Sequence, residues 1–178
     1  MPKKRTYRLT GPLIFDASVL FNFGHRGGLQ DIVQGLKNHF RLIITESVRK
    51  ESSGESNRAF YEKFISDYFE IYTGMPLRKY EKEITVLTQT LGSGEIEVIV
   101  TAMELNGTAV IDEKLARREA INLNIEISGT LGIIKYALDN SWVDNARAVK
   151  IVDTIKEKGA YIPVRKREQT FDEYFLKI

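Results

Sequence analysis

Three short apolar runs constrain this chain more than any other feature: Leu13-Ile14-Phe15, Leu42-Ile43-Ile44 and Ala109-Val110-Ile111, which end at Asp16, Thr45 and Asp112. None alternates with polar residues, which is the pattern of short strands buried on both faces. Between the first two, apolar residues fall at helical spacing on Leu29, Ile32, Val33 and Leu36, and after the second on Phe60, Phe64, Ile65 and Tyr68. Residues 95 to 106 are apolar on nearly every side, as in a helix packed on both flanks, and Asn106-Gly107 ends it.

The pattern then predicts a strand at 109 to 111, a helix at about 113 to 121 and a weak strand at Ile125 to Ile127. A helix follows from Gly129-Thr130 to near Asn140, and another runs from roughly 144 to 157. Strands alternating with helices imply an α/β fold on a parallel sheet. At 178 residues the expected organisation is a single domain, residues 1 to 178, with its core at roughly 12 to 140 and a C-terminal helix and tail over 141 to 178.

The chain has no cysteine, which excludes disulfides, thiolate zinc sites and a cysteine nucleophile. A formal charge of +2 is too small to argue for nucleic acid by itself, so that case must come from local clusters. The basic stretch Met1 to Arg8 is followed by no apolar segment of a secretory signal, and no later run approaches the ~20 residues of a membrane span. A cytoplasmic location is the expectation.

Asp16 and Asp112 each follow directly on a strand, and ligands of open parallel sheets bind in the crevice at the strands' carboxyl ends. Taken alone, each is better explained as a helix cap or turn residue, and only the set of acids changes that balance. Glu95 opens the buried helix after Leu91-Gly92-Ser93-Gly94, where first-turn placement also suits the helix dipole. Thr45 can cap a helix running through Glu46, Ser47, Val48, Arg49, Lys50 and Glu51. The dipole accounts for Glu46, leaving Glu51 as the better functional candidate, with a solvated ion pair as its plain alternative.

Taken as a set, Ile14-Phe15-Asp16-Ala17-Ser18-Val19-Leu20, Ile44-Thr45-Glu46-Ser47-Val48-Arg49-Lys50-Glu51, Gly94-Glu95 and Ile111-Asp112-Glu113 resemble, in order and spacing, the acidic motifs of PIN-domain nucleases. The stretches Leu91 to Glu95, Ile111 to Arg118 and Gly129-Thr130-Leu131-Gly132 look like a prokaryotic, toxin-like subgroup of that family, and the likeness covers roughly residues 12 to 140. The resemblance implies a three-layer α/β/α fold. It also implies a metal site with Asp16, Glu51, Glu95 and Asp112 at the acidic positions and Ser18 supporting Asp16. The chain departs from the commonest pattern in having Glu95 where many members carry Asp, and in the adjacent pair Asp112-Glu113, which makes Glu113 a further candidate ligand.

Such a carboxylate set suits Mg²⁺ or Mn²⁺, hard ions that take oxygen ligands and are held by a few carboxylates together with substrate phosphate. Four acids packed together repel one another and raise some pKa values, a cost that a divalent cation offsets. The expected reaction is hydrolysis of RNA phosphodiester bonds by an activated water, leaving a 5′ phosphate. Lys114, Arg117 and Arg118 fall at i, i+3 and i+4 on the helix after Asp112, either a stripe for RNA phosphates or an ordinary solvated face. Arg49, Lys50 and the Lys3 to Arg8 cluster are open to the same two readings.

Tyr61, Phe64, Tyr68, Phe69 and Tyr72 can be read as base-stacking groups, but helical spacing favours core packing for Phe60 and Phe64. His25 and His39 fit a loop or surface position. Gly24, Gly27 and Gly28 read as a flexible loop near Asp16, and Gly129-Thr130 as a helix start that can shape the cleft floor without a catalytic part.

Three rivals remain at this level. One is a non-catalytic RNA-binding or assembly module. Another is the toxin of a toxin–antitoxin pair, with an antitoxin protein covering the cleft. The third is a phosphotransfer enzyme with Asp16 as nucleophile, which Ser18 at the position two residues on disfavours. The family likeness also points to a homodimer.

Overall fold

A computed structural model describes residues 8–54, 56–160 and 162. The basic residues Lys3, Lys4 and Arg5 and the aromatic tail with Phe171, Tyr174 and Phe175 lie outside the described residues.

The apolar runs form strands β1 (Leu13–Phe15), β2 (Leu42–Thr45) and β4 (Thr108–Val110). They are joined by β3 (Glu70–Tyr72) and β5 (Glu126–Ser128) in one parallel sheet of order β3-β2-β1-β4-β5. Leu13, Ile14, Phe15, Ile44, Ala109 and Val110 have no exposed surface, which explains why these strands read as unbroken apolar runs. The helices are α1 (Ala17–Phe21), α2 (Gln30–Lys37), α3 (Glu46–Ser53), α4 (Arg58–Tyr68) and α5 (Glu81–Leu87). They continue as α6 (Ser93–Leu105), α7 (Lys114–Asn122), α8 (Thr130–Asp139) and α9 (Asn145–Glu157).

The sheet is therefore the middle of a three-layer α/β/α fold. Helix α6 lies across β1, β2 and β4 and is flanked by α3, α5 and α7, so little of it meets water. That enclosure is why its apolar residues show no single stripe. Asn106 closes it in the left-handed conformation at φ 49°, as the Asn-Gly signal predicts.

The chain winds from β1 outward through β2 to β3, then crosses back to β4 on the other side of β1. The strand order thus reverses between β1 and β4, and the carboxyl ends of the strands at such a reversal are where open parallel sheets bind ligands. Register places Phe15 opposite Val110, and the Asp16 amide donates to the Val110 carbonyl at 3.0 Å. Asp16 and Asp112 consequently leave neighbouring strands at the same edge.

One stretch differs from the sequence reading. Residues Asn22–Arg26 form a π-helical turn, not the flexible loop expected around Gly24. A Cβ on Gly24 would lie 3.0 Å from the Tyr61 ring, and the His25 ring is hydrogen-bonded to the Tyr61 hydroxyl. The aromatic residues of α4 belong mainly to the core: Tyr61 and Phe64 are buried, and Phe64 and Phe15 both pack against Phe69. The short edge strand β3 and helix α5 carry too few apolar residues to have been marked by periodicity.

Candidate active site

Asp16 caps α1. Its Oδ2 accepts the Ser18 hydroxyl at 2.7 Å and the Ser18 amide at 3.3 Å, so both the capping and the supporting roles fall on one oxygen. Asp16 is 8% exposed.

Asp112 sits deeper, at 2% exposure, two residues beyond the end of β4. Its Oδ1 accepts the Thr130 amide at 2.8 Å, and its Oδ2 accepts the Thr130 hydroxyl at 2.5 Å and Asn22 Nδ2 at 3.2 Å. Asn22 Nδ2 also reaches Thr130 Oγ1 at 3.0 Å, and Asn22 Oδ1 accepts from Arg26 at 3.2 Å. Asn22, Thr130 and Asp112 therefore form one buried network that fixes the carboxylate. Burial pushes the Asp112 carboxyl above the usual carboxylate range, the Thr130 donors and the Arg117 charge oppose the rise, and Asp16 adds to it.

Glu95 completes a capping box at the start of α6, its Oε2 accepting the Gly92 amide at 3.0 Å. Desolvation raises its pKa, the Gly92 bond lowers it, and the charges of Asp16 and Glu113 raise it further. Glu51 is exposed as a residue, but its carboxylate turns toward α6: a Cβ on Gly94 would lie 2.6 Å from Glu51 Oε1. Desolvation raises the Glu51 pKa, and Asp16, Glu95 and Glu97 add to the rise.

Asp16 thus exerts its charge on Glu51, Glu95 and Asp112, and the four carboxylates share one electrostatic environment. Among the described residues no three His, Asp or Glu side chains form a ready-made metal-ligand group. The set is coupled through space and not gathered at ligand distance. Its donors are oxygens throughout, and like charges held together by separate elements are the condition that a hard divalent cation relieves.

The remaining sequence candidates are placed as follows. Glu113 is the exposed N-cap of α7 and accepts the amides of Leu115 and Ala116, the latter at 2.9 Å. Lys114 and Arg118 are exposed on α7, and Arg118 pairs with Glu119 at 2.8 Å. Arg117 departs from the expected stripe. Its guanidinium turns inward and donates to the carbonyls of Ile111 and Ser128 at 2.7 and 2.6 Å, tying the ends of β4 and β5 together.

Sequence reasoning did not single out Asn22 or Glu97, and left Thr130 outside the site. Glu97 accepts the Ser47 amide at 3.0 Å, bringing a further acid to the α3–α6 contact. Its spacing of two from Glu95 on a helix gives no hint of a shared face.

Comparison with known proteins gives a match to a family model described as a PIN domain, over residues 12–173. No curated protein matches the chain.

Proposed function

The chain belongs to the PIN-domain family, whose members are generally nucleases, and on that premise we propose that it is a Mg²⁺- or Mn²⁺-dependent endoribonuclease. The observation that carries this reading is that Asp16 and Asp112 leave neighbouring strands at the same edge of the sheet, where the strand order reverses, while Glu51 Oε1 faces Gly94 next to Glu95.

In this reading Asp16, Glu51, Glu95 and Asp112 hold the ion, with Glu113 at the rim as an auxiliary carboxylate. A divalent ion bound there supplies charge neutralisation and lowers the pKa of a water. Ser18 holds Asp16 in its rotamer through the 2.7 Å bond to Oδ2, leaving the second oxygen of that carboxylate outside this bond. Thr130 and Asn22 do the same for Asp112. Arg117 keeps the strand ends that carry Asp112 and Thr130 in register. The substrate is the RNA backbone, cut by in-line attack of water on phosphorus that breaks the bond to the 3′ oxygen, so that the upstream fragment leaves with a 3′ hydroxyl and the downstream fragment keeps a 5′ phosphate.

The test is incubation of purified protein with single-stranded and structured RNA in Mn²⁺, Mg²⁺ or EDTA, beside Asp16→Asn and Asp112→Asn. Cleavage that needs the metal and is lost in both variants supports the proposal. Cleavage that survives in EDTA or in both variants rejects it.

A further inference from the structure

Helix α3 presents Glu51 to α6 on one face, and a second feature occupies its other side. Between α3, α4 and β3 lies an open cleft of about 560 Å³ whose wall carries Arg49, Lys50 and Arg58 beside Ser52 and Ser53. We propose that this cleft binds the sugar-phosphate backbone of the RNA strand flanking the cut, an inference that rests on the nuclease reading above.

The chemistry of the wall fits a polyanion. Lys50 is exposed and makes no ion pair among the described residues. Among the described residues Arg49 and Arg58 pair only with neighbours on their own helices, Glu46 at 3.4 Å and Glu62 at 2.8 Å, and each arginine side chain is more than half exposed. Exposed pairs of this kind are weak, and a phosphate that takes two parallel N–H bonds from a guanidinium displaces them. Three cations against the carboxylates of Glu46 and Glu62 leave the wall net positive while it is bare.

The same wall disfavours other occupants. Tyr61 on its floor is 1% exposed and offers no face for stacking a base, so contacts here go to the backbone and not to sequence. Ile71 is the sole large apolar side chain with substantial exposure among the cleft's described lining, too little to seat an amphipathic helix of a protein partner. The position also suits the reaction. Lys50 and Glu51 are consecutive on α3, so the cleft and the Glu51 carboxylate lie on the same helix, separated by its ~10–12 Å width.

The experiment measures binding of a labelled single-stranded RNA homopolymer to the full chain in EDTA over a range of salt, for the wild type, Lys50→Gln/Arg58→Gln and Lys114→Gln/Arg118→Gln. The cleft variant is expected to bind at least ~10-fold more weakly and to lose ~0.7 from the log–log salt slope for each contact removed. In Mn²⁺ it is expected to raise KM with little change in kcat. Equal affinity and slope for the cleft variant and the wild type overturn the proposal, as does a loss confined to the α7 variant. Failure of the nuclease reading looks different: no metal-dependent cleavage by the wild type, whatever the binding data show.

Discussion

A Cβ placed on Gly129 would lie 2.5 Å from Asp112 Oδ1 and 2.9 Å from the Ile111 carbonyl. The carboxylate occupies the space that a side chain would take, and the backbone oxygen on the other side cannot yield. Gly129→Ala is therefore expected to displace Asp112 and to destabilise the fold by ~1–3 kcal/mol, the usual cost of overpacking a tight site. Chemical denaturation reads the stability, and RNA cleavage should fall at least ~10-fold through misplacement of the carboxylate.

Gly94 makes an instructive contrast. Its close neighbour is the end of the Glu51 side chain, at 2.6 Å, with no backbone atom among the closest contacts. Glu51 can swing away, so Gly94→Ala is expected to change stability by less than ~1 kcal/mol while lowering cleavage. Equal losses of stability in Gly94→Ala and Gly129→Ala would contradict this distinction.

Thr130 gives Asp112 two hydrogen bonds, one through its hydroxyl. Thr130→Val removes the hydroxyl while keeping the shape and the amide. It is expected to cost ~1–3 kcal/mol, because a buried carboxylate loses a donor. Thr130→Ser should restore most of the loss. In Asp112→Asn the same Thr130→Val change should cost less, and a double-mutant cycle measures that coupling.

The pH dependence follows from the direction of the shifts. Glu51, Glu95 and Asp112 all have pKa values raised by desolvation first. Folding then favours the protonated forms, so these groups lower stability as pH rises through their folded values and have no such effect below the ordinary carboxylate range near ~4. Glu51→Gln is expected to stabilise the metal-free protein at about pH 8 and to leave it nearly unchanged at about pH 4. Added Mg²⁺ should stabilise the wild type more than the variant at the higher pH, read from thermal unfolding at each pH.

Much of this architecture was legible because the strands are buried on both faces and the acids sit directly after them. Asp16 and Asp112 could be assigned to one edge from β1 and β4 alone, and the uniform apolarity of α6 announced its enclosure. The edge strand β3 was silent because half-exposed Glu70 to Tyr72 lacks an apolar run. Arg117 was misjudged for a physical reason: helical spacing with Lys114 and Arg118 describes the Cα positions, whereas its long side chain folds back to two carbonyls at the strand ends. Asn22 was invisible since it lies 90 residues from Asp112 in sequence, and only the π-helical turn brings its amide to that carboxylate. Glu51 carried a plain alternative as a surface ion pair, and its orientation toward Gly94 could not be read from spacing.

The most direct measurement is titration of Mn²⁺ into the metal-free protein at about pH 7.5, where carboxylates outside raised sites are ionised. Stoichiometric binding by the wild type, weakened at least ~10-fold in both Asp16→Asn and Asp112→Asn, is the predicted result. Binding of equal strength in wild type and variants, or metal-dependent cleavage that persists when both aspartates are replaced, would contradict the account.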